Sequence, residues 1–116
     1  MILYYILVDR QVRPCESYEA MVEWRKTVEP GSPAFSLQIA KTTVNNVYVS
    51  TIFLPIDHGW GVGPPVVFET MTFDHGGHPQ WDEKQWRYTS QDAAEAGHAA
   101  VVSAIEADAD PDGLDI

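Results

Sequence analysis

Three stretches hold the side chains best suited to chemistry: Asp57-His58 ahead of the glycines 59, 61 and 63, Glu69 in "VVFETMTF", and His98 in "QDAAEAGHAAVV". An aspartate beside a histidine can orient the imidazole for proton transfer. Glycines nearby let backbone N–H groups approach an anion, although their spacing here matches no phosphate-binding fingerprint. Glu69 shares a strand face with Val67, Met71 and Phe73, so its carboxylate needs a partner; His58, His98, Arg87 and Lys41 are the candidates. Trp60 stands in the same loop as the Asp-His pair, where an aromatic ring serves a binding surface. The candidate binding set is therefore Asp57, His58, Trp60, Glu69, Arg87 and His98. Plainer roles compete with this one. Asp57 can cap a turn with His58 packed on Trp60, Glu69 can sit in a structural ion pair, and His98 reads better as a hydrogen-bonded core histidine.

"FDHGGH" repeats the Asp-His-Gly pattern seventeen residues later, and His75 and His78 have the spacing of a ligand pair. The intervening glycines make no helix, and zinc needs three or four ligands, so no metal is expected. No nucleophile elbow, Walker loop or dinucleotide motif occurs, and no cofactor is expected. Cys15 reads as a residue at a helix entrance. Trp81 also falls in a loop segment, which adds to the case for an exposed aromatic patch.

The elements that must position these residues follow from periodicity and turn chemistry. Residues 2–8 form a first strand, Arg10 to Pro14 turn the chain, and a helix capped by Ser17 runs to Val28. "FSLQIAKTTV" and "VYVSTIFLP" flank Asn45-Asn46, a two-residue hairpin turn that places Val44 opposite Val47, Thr42 opposite Val49 and Ala40 opposite Thr51. The other face, with Leu37, Ile39, Tyr48, Ile52 and Leu54, is the expected core side. "PPVVFETMTF" and "KQWRYT" are two further strands; in a hairpin, the two Asp-His-Gly sites lie at opposite ends. Thr89, with Asp92 three residues on, is the expected N-cap of a last helix reaching about Ala107. On that helix Ala94, His98, Val101 and Ile105 form a stripe, and Gly97 allows close approach to a sheet. The order β-α-β-β-β-β-α predicts an α+β fold: one domain over residues 1–107, with a mainly antiparallel sheet of four to five strands and two helices. Residues 108–116 form an acidic tail expected to fray.

The chain has 116 residues, one cysteine and a net charge of −10, from seventeen acidic and seven basic residues. So acidic a surface disfavours direct nucleic-acid binding and favours a basic partner, although acidity also serves simply to keep a small protein soluble. A lone cysteine suits a reducing cytoplasm, and the apolar start is too short for a membrane span.

The set Val49-Ser50-Thr51, Asp57-His58, Gly63-Pro64-Pro65, Phe68-Glu69-Thr70-Met71, Arg87-Tyr88-Thr89 and Ala96-Gly97-His98 resembles a family of small phage and prophage proteins with no assigned function. Pro55-Ile56 and the histidine-rich "DHGGHPQ" depart from that pattern. The resemblance implies a phage setting and a bacterial host cytoplasm, and it carries no activity. The expected function is binding and modulation of a host factor, a basic protein or complex, in host takeover or counter-defence, without catalysis. The alternatives are a small-molecule binder or enzyme with an Asp/His/Glu site at the 57–65 loop, and a virion accessory protein that self-assembles as a homo-oligomer.

Overall fold

A computed structural model of the chain describes residues 4–31, 35–59 and 63–116. Two strands, β1 (Tyr4–Val8) and β2 (Gln11–Cys15), form an antiparallel hairpin, followed by α1 (Tyr18–Val28). Then come β3 (Leu37–Val44), β4 (Val47–Phe53), β5 (Phe68–Asp74), β6 (Gln85–Tyr88) and α2 (Gln91–Glu106). Strands β3-β4-β5-β6 form one antiparallel sheet in sequence order. The fold is α+β, as the sequence predicts. Among the described residues, no helix is long and apolar enough to cross a membrane.

The segment expected to turn from Arg10 to Pro14 is instead strand β2. The reversal is confined to Asp9 and Arg10, both at positive φ, which builds a two-residue primed turn from residues less suited to it than Asn-Gly. Pro14 fits because β2 pairs only with β1 in its two-stranded sheet, where a missing N–H costs no ladder bond on the outer side. At the second hairpin, Asn45 and Asn46 take positive φ, and the expected pairs Val44–Val47, Thr42–Val49 and Ala40–Thr51 all form.

The buried face is the opposite of the one expected. Val47, Val49, Thr51 and Phe53 are fully buried, whereas Tyr48 and Ile52 are only half-buried. A register shift between Gln38 and Ala40 changes the parity of β3, which puts Leu37 opposite Phe53 on the buried side. Helix α2 lies across this face, with Val101, Ala104 and Ile105 packed on Val47, Val49 and Trp81. At the other end of the same face, Phe53 and Phe68 meet Ala94 of α2, Tyr5 and Val12 of the hairpin, and Trp24 of α1. Both helices and the small hairpin thus lie on one side of the sheet. Ser17 caps α1 as expected. The cap of α2 is Ser90 rather than Thr89, its hydroxyl accepting from the Ala93 N–H at 3.1 Å.

Trp81, expected to be exposed, is fully buried. A short 3-10 turn at Pro79–Trp81, fastened by the Thr72 hydroxyl donating to the Trp81 carbonyl, folds the indole beneath α2. The tail expected to fray has packed points as well: Pro111 is buried, Leu114 joins the core beside α2, and Asp112 accepts from Lys84 at 3.1 Å.

Gly97 permits the close approach of α2 to β6, because a Cβ there would overlap the Tyr88 ring. The variant Gly97→Ala is therefore expected to lose about 1–3 kcal/mol through overpacking, despite its better helix propensity, and urea denaturation of the two proteins measures this.

Candidate functional site

The fold separates the residues that would have made one acid/base site. His98 points inward from α2 and is 7% exposed. Its Nδ1 lies 2.7 Å from Thr51 Oγ1 and its Nε2 lies 2.9 Å from Thr42 Oγ1. Thr51 Oγ1 is 2.5 Å from Thr70 Oγ1, which accepts from the Tyr88 hydroxyl at 3.1 Å. A single set of proton positions satisfies every member: Tyr88 donates to Thr70, Thr70 to Thr51, Thr51 to His98 Nδ1, and His98 Nε2–H to Thr42. This assigns a neutral imidazole protonated on Nε2. Burial pushes the His98 pKa below its ordinary value, in keeping with that assignment. The group is a polar seam between helix and sheet.

Glu69 emerges on the far side of the sheet. It stands opposite Arg87 in the β5–β6 register, and its Oε2 accepts from Arg87 Nε at 3.1 Å. Arg87 was one of four candidate partners, and it is the one that the cross-strand position supplies. Although Glu69 lies on the uncovered face, it is only 9% exposed, because Ile52, Met71 and Phe73 wall it in. Together with Ser50 these side chains leave a dent of about 80 Å³.

Asp57 is occupied by the backbone. Its Oδ1 accepts from Gly59 N–H at 2.8 Å and from Val66 N–H at 2.7 Å, bonds that draw its pKa below the usual carboxylate value. With His58 N–H donating to the Val66 carbonyl at 2.7 Å, the start of the loop is tied to its return. The His58 side chain is exposed, and Trp60 lies outside the described residues. The second Asp-His-Gly loop repeats the device at the opposite end of the β4–β5 hairpin. Asp74 Oδ1 accepts from Gly76 N–H at 3.0 Å, and His75 is exposed. Among the described residues, no group of His, Cys, Asp and Glu side chains has the arrangement of a metal site.

Two surfaces that the sequence did not single out emerge. One is a groove of about 410 Å³ between the β1–β2 hairpin, Pro64-Pro65 and the start of α2, with Tyr5, Val12 and Pro14 on its apolar side. Arg10 spans its rim, donating to Asp92 and Glu95 at 2.6 Å. The other is the uncovered sheet face itself, where Tyr48 and Phe73 stack with ring centroids 6.2 Å apart. Only the Gly-Pro-Pro sequence hinted at the first; the second depends on which face α2 covers. Comparison with protein-family models, curated sequences and solved structures finds no significant match to this chain.

Two expectations follow from this geometry. Since the folded pKa of His98 is lowered, stability is level above about pH 6.5. It falls as pH drops through that value, where the unfolded chain takes up the proton first. Urea midpoints of wild type and His98→Asn between about pH 7.5 and about pH 5.5 should show this slope in the first and its loss in the second. In the loop, Asp57→Ala should speed hydrogen exchange at the Gly59 and Val66 amides at neutral pH, while Asp57→Asn, which keeps an acceptor, should restore most of the protection.

Proposed function

We propose that the protein acts by non-covalent binding of a basic host protein in a phage setting, within the bacterial cytoplasm, and modulates that partner without catalysing a reaction. The observation that supports this reading is how charge is sorted over the fold. Glu16, Glu19, Glu23 and Glu29 around α1, and Asp92, Glu106, Asp108 and Asp110 on α2 and the following turn, are exposed on the helical side. The cations on that side are largely matched internally: Lys26 with Glu23, and Arg10 with Asp92 and Glu95. A one-sided acidic field of this kind steers a basic partner toward a chosen orientation. The dispersal of His98, Glu69 and Asp57 removes the main motive for a catalytic reading.

A second reading, a small-molecule binder, is supported by the groove at Pro64-Pro65, which is of the size that ligands occupy. Its polar groups do not converge on one point as a catalytic set would.

Affinity capture from a bacterial host lysate tests the first reading. The expected result is a basic protein that is enriched at low salt, weakens toward physiological salt, and is lost with the variant Glu19→Lys/Glu23→Lys/Glu106→Lys. An empty capture across that salt range would count against partner binding. Retention of the partner by the triple variant would count against the helical side as its contact.

A further inference from the structure

One face of the four-stranded sheet is covered by no helix or strand among the described residues. It carries Tyr48, Ile52, Met71 and Phe73 along its middle, Lys41 and Thr43 on the β3 edge, and the Glu69–Arg87 pair toward β6. Lys41 is exposed and enters none of the ion pairs among the described residues. The Glu69 dent has apolar walls suited to an aliphatic stem and a carboxylate suited to an ammonium group. Lys41 and Glu69 stand on opposite sides of β4, since Lys41 pairs with Ser50 and Glu69 with Ile52. With strands spaced about 4.8 Å apart and a rise of about 3.4 Å per residue, their Cα atoms are roughly 12 Å apart, too far for direct pairing within one copy.

We propose that this face pairs with a second copy of the chain, the Lys41 of each copy entering the Glu69 dent of the other. The midpoint between the two residues falls between Ser50 and Ile52, at the centre of the face. One twofold axis laid across β4 there brings both Lys41–Glu69 contacts together at once, the reciprocity an isologous interface requires. The two sheets then stack face to face, with aromatic and aliphatic side chains between them. Charge selects this surface over the rest of the molecule. Two chains of net charge −10 repel, and this face holds two cations against one carboxylate, while the acidic helices point away on both copies. A sheet about 19 Å wide and 23 Å long offers a flat contact of roughly 900 Å² counted over both copies, which places the dimer among weak, concentration-dependent ones.

Sedimentation velocity from about 5 µM to about 1 mM tests this, with half-dimerisation expected on the order of 100 µM. Lys41→Glu should raise the dissociation constant at least about tenfold. Lys26→Glu, which changes net charge equally but lies on α1, should leave it within about twofold. The variant Lys41→Glu/Glu69→Lys, made together with Arg87→Gln so that no cation is left beside position 69, should return to within about threefold of the Arg87→Gln protein, because the pair is then only reversed. If Glu69→Lys proves unfolded by circular dichroism, Glu69→Gln takes its place and should weaken the dimer by about threefold or more. A chain that stays monomeric to about 1 mM overturns the proposal, as does a dimer that Lys41→Glu and Lys26→Glu affect alike.

Discussion

The line of hydrogen bonds from Tyr88 through Thr70, Thr51 and His98 to Thr42 is the constraint on which the remaining architecture depends. It joins four strands and one helix through hydroxyls and an imidazole, all of them buried except the half-buried Thr42. Each of these groups, buried without its partner, would cost about 1–3 kcal/mol, so the arrangement is stable only when complete. Completeness fixes the height and rotation of α2 over the sheet. The Tyr88 ring, whose hydroxyl reaches Thr70, lies directly against the helix backbone, and glycine at 97 leaves space for it. With α2 held in this way, Val101 and Ile105 fall onto Val47, Val49 and Trp81, and the opposite face of the sheet is left to other uses.

The two Asp-His-Gly segments show how one local pattern can suggest chemistry and serve shape instead. In each, the aspartate is spent on backbone N–H groups, the glycine follows within two or three residues, and the intervening imidazole turns outward. An aspartate that accepts from backbone N–H groups ahead of it is the ordinary chemistry of a tight turn. The price of that use is that its carboxylate no longer orients the neighbouring histidine. The long connection between β4 and β5 is thus held where it leaves one strand and where it enters the next. Pro64 and Pro65 stand beside the hairpin groove as a consequence.

Much of this was legible in the residues. Asn45-Asn46 specified its hairpin and register, Ser17 marked a helix start, and Gly97 and His98 announced a close, hydrogen-bonded helix–sheet contact. What was not legible shares one cause: alternatives of nearly equal local merit, decided by distant contacts. Alternate residues from Val47 to Leu54 form two apolar series, Val47-Val49-Phe53 and Tyr48-Ile52-Leu54, and the second is the bulkier. The first is buried because Thr51 lies within it and His98 needs that hydroxyl. The turn at Asp9-Arg10 lacks glycine or asparagine, so β2 was hidden until its pairing with β1 was seen. Trp81 looked like a loop residue because a single 3-10 turn, with no periodicity to display, carries it into the core. The dispersal of the candidate site has the same root. Glu69 and Thr70 are adjacent, and strand parity sends one to the open face and the other into the polar seam.

The sheet therefore turns its threonine-bearing face inward and leaves a face with two aromatic rings, an isoleucine and a methionine uncovered among the described elements. The inner face is still the more apolar of the two, since Val47, Val49, Phe53 and Phe68 stand beside those threonines. The threonines are tolerated inside because each hydroxyl of the seam has a partner. On the outside Tyr48, Ile52, Met71 and Phe73 remain half-buried against their neighbours. Glu69 sharpens the point. A carboxylate on an open face would ordinarily extend into solvent, yet this one is drawn in among Ile52, Met71 and Phe73 and held by Arg87 at a single oxygen. Its desolvation is already largely complete before any partner arrives, so an ammonium group entering the dent gains attraction there without a further large loss of carboxylate hydration. The same strand order that split the supposed acid/base site is what produces this half-enclosed carboxylate.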